Sequence, residues 1–160
     1  MTKKTPQNST VKIRRAKRSD FAQIAELAGE LGYPSTPAQI AQRFRTLKPP
    51  SMHAVFVAGP PKKSVAGWLH VSVSPQIEND LRAEVNALVV AAGQRSLGVG
   101  ARLLEAAENW SRKQGCKAMS VRSNVIRHRA HNFYERHGYE HYKTQKAFRK
   151  PLQIIPRPSK

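Results

Sequence analysis

Residues 93–104 read GQRSLGVGARLL, with two closely spaced glycines and an arginine between an apolar run and a helical pattern. Immediately upstream, LRAEVNALVV reads as a long strand from about 81 to 90. Downstream, Val99, Leu103, Ala107 and Trp110 lie on one helical stripe that Gly115 can stop. A glycine-bearing turn between strand and helix leaves the first N–H groups of the helix bare and places the positive end of its dipole there, so it suits an anion. Arg95, Ser96, Leu97, Gly98, Val99 and Gly100 form this turn, and without Cβ atoms at 98 and 100 a phosphate can approach the main chain. Two familiar phosphate motifs fail: there is no G-K-[ST], and Leu103 stands where a dinucleotide fingerprint has its third glycine. Taken alone, the turn fits a tight connection without a ligand equally well.

The flanking sequence supplies the architecture. Val11–Ala16 alternates apolar and basic residues, as a half-exposed strand does. Ser19 or Asp20 offers an N-cap to FAQIAELAGELG, which Gly32 can end, and Thr36 with Pro37 opens a second helix. Residues 53–58 and 65–73 read as an antiparallel hairpin around GPPKKS. After the 81–90 strand and the helix come a short strand KAMSVRS, a helix RHRAHNFYERHG ended by Gly138, and two expected strands, YEHY and QKAFRKPL. The order β-α-α-β-β-β-α-β-α-β-β implies a single α/β domain, with helices flanking a mixed, mostly antiparallel sheet. The expected division is a flexible basic N-terminus 1–10, a domain over 11–153, and a basic tail 154–160.

The length, 160 residues, is that of one ordinary domain, and the single Cys116 excludes an internal disulfide framework. No run approaches the ~18 apolar residues of a membrane helix, and the N-terminus lacks the apolar core of a secretory signal, so the expected location is the cytoplasm. Lys and Arg number 28 against 10 Asp and Glu, a formal charge of +18. Residues 1–18 hold no acid, and Arg112–Lys150 hold only Glu135 and Glu140. Such a field raises the local concentration of phosphorylated cofactors, acidic substrates or nucleic acid.

The combination of R-x-x-G-x-G at Arg95–Gly100, AHNFYERHGY downstream and AEVNALVV upstream resembles the GNAT superfamily of acetyl-CoA-dependent N-acetyltransferases. In element order the resemblance spans 11–152, and region 82–140 carries its specificity. It implies a GNAT-like fold, acetyl-CoA as cosubstrate, and a turn from Arg95 through Ala101 that wraps the pyrophosphate of coenzyme A. It further implies that the backbone of Leu88, Val89 and Val90 holds the pantetheine arm and polarises the thioester carbonyl. Arg127 stands near where many members carry a cofactor-contacting Asn, and is a candidate for a coenzyme A phosphate.

Acetyl transfer also needs a base and an acid. Glu84 is the only acid in the strand 81–90, and its spacing to Gly98 matches the catalytic glutamate of the histone-acetylating branch. Pairing with one of the many basic residues is its alternative. His70, with an unperturbed pKa of ~6.5, is the competing base. Tyr134 holds the tyrosine position of the F-Y-E-x-x-G-[FY] segment, where the resemblance implies a phenol donating to the coenzyme A sulfur. Trp68, His70 and Glu84 are candidates to meet the acceptor. The remaining histidines form no metal-ligand set, so no metal is expected.

LGYP, VRSN and KTQKAFRK look like small bacterial members that acetylate small amines, aminoglycosides among them. A polycation calls for an acid-lined cleft, however, and this chain is poor in acids, so an amine carrying its own anionic group fits better. Expected partners are therefore acetyl-CoA and an amine of a small molecule or protein, in a monomer or homodimer. The alternatives are a basic nucleic-acid- or ribosome-associated protein, or a non-catalytic acetyl-CoA sensor.

Overall fold

In the computed structural model, which describes residues 11–60 and 63–154, the elements follow the expected order through the fourth helix. They are β1 (Ile13–Arg15), α1 (Phe21–Glu30), α2 (Pro37–Thr46), β2 (His53–Ala58), β3 (Gly67–Val73), β4 (Arg82–Val90), α3 (Val99–Lys113), β5 (Ala118–Val121) and α4 (His128–Arg136). The expected N-terminus 1–10 and the tail from 155 lie outside the described residues. No helix among the described residues is long and apolar enough to cross a membrane.

The chain divides into two compact units, Met1–Arg127 and His128–Lys160. The first holds the whole sheet, in the order β1-β2-β3-β4-β5, antiparallel except for the parallel β4–β5 pair. Alternation along the strands sorts side chains to two faces. Leu69 and Val71 of β3, both fully buried, join Leu103, Leu104 and Ala107 of α3 in the core. On the other face Trp68 and Val89 pack with Ile24, Leu27 and Ala28 of α1 and Ile40 of α2. On α3 the expected stripe holds at Val99, Leu103 and Ala107, whereas Leu104 and Ser111 replace Trp110 as fully buried members.

Local chemistry explains the helix limits. Thr36 and Gln39 form a reciprocal capping box, Thr36 Oγ1 accepting from Gln39 N–H at 3.2 Å and Gln39 Oε1 from Thr36 N–H at 2.9 Å. α1 ends at Gly32 in paired turns, with Tyr33 N–H on Ala28 O and Gly32 N–H on Gly29 O. Asp20 does not cap α1 through its side chain. It is buried, receives two 2.8 Å hydrogen bonds from the Arg14 guanidinium and one from Lys17 N–H, and these hold its carboxyl below the usual range against the opposing effect of burial.

The two last strands expected from the sequence are not formed. Within the second unit α4 is the only regular element among the described residues, and 139–154 follow it as irregular chain. An apolar–basic alternation becomes a strand only where a neighbouring edge supplies a hydrogen-bond ladder and a surface to bury the apolar side. Within this unit neither is offered, and Tyr142, Phe148 and Leu152 are 67%, 91% and 83% exposed.

Candidate active site

The unequal lengths of β4 and β5 create the site. Their parallel ladder runs from Arg82↔Ala118 to Val85↔Val121 and stops, while β4 continues to Val90 against β3. The register with β3 shifts between His70 and Val71, where Asn86 is the extra residue of β4. Past this bulge, Ala91 donates to Ala66 O on the β3 side. By alternation, the main-chain groups of Leu88 and Val90 point to the side that β5 has vacated. Val89, paired with Trp68, is buried in the α1 face of the core. Leu88 and Val90 thus offer backbone groups to an extended ligand, and Val89 supports them from behind.

Directly after this strand, a single helical turn at Ala92–Gln94 leads into the glycine segment. Ser96 and Gly98 both adopt left-handed conformations, with φ of 64° and 79°. For Ser96 this conformation costs ~1–2 kcal/mol, a strain that is common where a loop is shaped for a ligand. Gly98 is the N-cap of α3 and brings no side chain to the first turn, so Val99, Gly100 and Ala101 present their N–H groups uncapped by it. A Cβ at Gly98 would meet nothing within 4 Å, so the space beside this residue is open. Leu97, 69% exposed, stands at the rim.

Arg95 braces the turn. Its Nε donates to Val90 O at 3.1 Å and its Nη2 lies 3.3 Å from Glu30 Oε2, which also accepts from Ala92 N–H at 3.1 Å. Glu30, at the end of α1, was not a sequence candidate; nothing local to it reveals a partner 65 positions away. Arg127 donates to Leu31 O at 3.2 Å, at the carbonyl end of the same helix.

Glu84 lies opposite Ser72 on β3 and Ser120 on β5, and its Oε1 is 2.5 Å from Arg122 Nε. The side chain of Arg122 is 82% exposed and that of Glu84 32%. His70 Nε2 lies 3.2 Å from Nδ1 of His53, its neighbour across the β2–β3 pair. Burial, with a smaller contribution from His53, pushes the His70 pKa down to about 4. At neutral pH the imidazole is neutral and a weak proton acceptor, contrary to the expectation of an unperturbed histidine.

Between α1, α2 and the β3–β4 face lies a cavity of about 250 Å³. Ile24, Ile40, Phe44 and Trp68 supply apolar walls, and Ser35, Arg43, His70 and Asn86 supply polar ones. Trp68 and His70 are thus brought together here, beside the bulge of β4, while Glu84 shares this face of the sheet two register pairs further along. The Trp68 Nε1 is buried with no hydrogen-bond partner among the described residues. Tyr134 belongs to α4 in the second unit, where its ring meets Phe133 and Tyr139 edge-on at 5.2 and 5.7 Å.

Known proteins share this sequence and fold. The family model described as Acetyltransferase (GNAT) family matches residues 19–139. The chain is 28% identical over 102 residues, 62% of its length and 67% of the relative, to an aminoglycoside N(6')-acetyltransferase type 1 of Klebsiella aerogenes. It is 27% identical over 132 residues, 80% of its length and 89% of the relative, to the uncharacterised N-acetyltransferase YhfO of Bacillus subtilis strain 168. Its fold is that of glucosamine-6-phosphate N-acetyltransferase from Arabidopsis thaliana, with a TM-score of 0.76 at 20% identity over 88% of this chain and 99% of that one. A strand that outruns its parallel neighbour, a glycine turn at the next helix and a family match across both make this chain a member of the GNAT family of acetyltransferases, an acyltransferase of the N-acetyltransferase kind.

Proposed function

We propose that residues 11–153 act as one catalytic domain that transfers the acetyl group of acetyl-CoA to a primary amine. The observation that carries this reading is the continuity of β4 with the α3 turn: one short stretch of chain offers strand backbone past the end of the β5 ladder and then a helix N-terminus without a side-chain cap. An extended thiol arm ending in a pyrophosphate needs those two features in that order. Leu88 and Val90 hold the arm by main-chain hydrogen bonds, and a backbone N–H of this stretch polarises the thioester carbonyl. Ser96 through Ala101 receive the pyrophosphate, Arg95 fixes the turn, and Arg127 meets a further phosphate.

The neutral amine attacks the carbonyl carbon, a C–N bond forms, and the C–S bond breaks as the tetrahedral adduct collapses. Glu84 takes the proton that the nitrogen loses, directly or through a water, since a carboxylate suffices once the nitrogen is bonded to the adduct and has become acidic. Tyr134 returns a proton to the departing thiolate, giving coenzyme A thiol and the amide. His70, weakened as a base, is a wall of the acceptor site instead.

Calorimetric titration with acetyl-CoA, of the wild type and of a Gly98→Asp, Gly100→Asp variant, tests the reading. Micromolar binding that the variant abolishes is the expected result. Binding without any amine turnover would make the protein a sensor. No binding by the wild type would overturn the cofactor site and leave nucleic-acid association as the better account of the basic surface.

A further inference from the structure

The cavity beside the β4 bulge has a size and a sign, and both bear on the acceptor if the acyltransfer reading above holds. At about 250 Å³ it is smaller than the ~300–1,000 Å³ that drug-sized ligands occupy. A molecule of about one amino acid fills it, and most of the several rings of an aminoglycoside would extend beyond it. Among the described residues that line it none is Asp or Glu. A polycationic acceptor would therefore lose water there without gaining a counter-charge.

The charge the lining does carry is on the helix side. Arg43 of α2 donates through Nη1 to Ser35 Oγ at 2.7 Å, and Ser35 in turn donates to Tyr33 O at 3.0 Å, so the guanidinium is held at this wall by a chain of hydrogen bonds. Its remaining N–H groups form a planar fork suited to two oxygens of one anion. The lining also includes Asn86 and Ala87 of β4, just past Val85, the last residue paired with β5, where the reading above puts the thioester. Ile24, Ile40, Phe44 and Trp68 give the rest of the lining an apolar surface. An acceptor spanning these walls must be anionic at one end, apolar in the middle and an amine at the other.

We infer that the acceptor is a compact primary amine with an apolar body and a carboxylate or phosphonate group, the acid received by Arg43 and the amine delivered at Asn86–Ala87. The test measures release of coenzyme A thiol in slightly alkaline buffer with matched amines. 4-(Aminomethyl)benzoate is set against benzylamine, 3-aminopropylphosphonate against propylamine, and kanamycin serves as the polycation. The two acid-bearing members separate carboxylate from phosphonate recognition.

At least one of them is expected to exceed its acid-free counterpart tenfold or more in kcat/KM. Arg43→Gln is expected to cancel that advantage by raising KM for the acid-bearing amine, and Arg43→Lys to restore part of it. Acetyl-CoA titration of each variant shows whether the cofactor site is intact. Equal or better turnover of the acid-free amines or of kanamycin would overturn the inference. So would a preference that survives Arg43→Gln, or coenzyme binding with neither acid-bearing amine acetylated. Failure of the wild type to bind acetyl-CoA would instead overturn the acyltransfer reading on which it rests.

Discussion

Glu84 and His70 lie within two register pairs of each other on β3 and β4, yet their surroundings give them opposite fitness as bases. Glu84 keeps about a third of its side chain in solvent and pairs with the exposed Arg122, whereas His70 is buried against a second imidazole. Glu84→Gln should therefore lower kcat by about 10²-fold with acetyl-CoA affinity unchanged. His70→Gln should alter KM for the amine more than kcat. The sequence named Glu84 as the base and His70 as its competitor, but the weakening of His70 was hidden, because it comes first from burial in the folded sheet and only second from His53, seventeen positions away. The same burial has a consequence for stability. The folded pKa of about 4 lies below the ~6.5 of an unfolded chain, so the unfolded state binds the extra proton first as pH falls. Stability is then full above pH ~6.5 and lost on the way down to ~4, by at most about 3 kcal/mol. Urea midpoints measured between those limits should fall more steeply for the wild type than for His70→Gln. Equal slopes would remove His70 from the account.

Whole elements were legible in the sequence where a local rule fixes them. The capping box at Thr36, the glycine stops after α1 and α3, and the alternation of β2 through β4 all rest on residues a few positions apart. The two C-terminal strands were not legible in the same way, since a strand is completed by an edge that may lie anywhere in the chain, and 139–154 have none within their unit. Long-range side-chain ties were equally hidden, and two of them invite measurement. Arg14 and Asp20, joined by two 2.8 Å hydrogen bonds, anchor the start of α1 to β1, with side chains 10% and 2% exposed. Arg14→Met leaves a buried carboxylate unpaired and should cost about 3 kcal/mol in chemical denaturation, with most of that loss recovered in a double variant that also carries Asp20→Leu. The Glu30–Arg95 tie is different in kind. With Glu30 at 36% and Arg95 at 40% exposure it adds ~0–1 kcal/mol to stability, but Glu30 also holds Ala92 N–H and so sets the entry of the glycine turn. Glu30→Gln should leave the melting temperature nearly unchanged and weaken acetyl-CoA binding about three- to tenfold. A large thermal shift without loss of affinity would assign the tie to folding alone.

Across the molecule, a formal charge of +18 has two readings that salt separates. As a general field it gathers anions and speeds the arrival of a phosphorylated cosubstrate, with little effect on what holds that ligand once bound. As a binding surface for nucleic acid it would make many simultaneous phosphate contacts, each releasing a counterion. Six to ten such contacts would cost ~10³–10⁵ in affinity between 50 and 200 mM salt. The cradle proposed at α3 meets one pyrophosphate and a further phosphate at most, and its main-chain N–H groups carry no formal charge to screen. Acetyl-CoA affinity should therefore fall by about tenfold or less over the same range, while a fluorescent single-stranded RNA, followed by anisotropy, should dissociate almost completely. RNA that stays bound at 200 mM with a shallow slope would mark contacts to bases rather than phosphates alone, which a diffuse basic surface does not make. The charge would then be a second site with its own ligand, no longer a field serving the first.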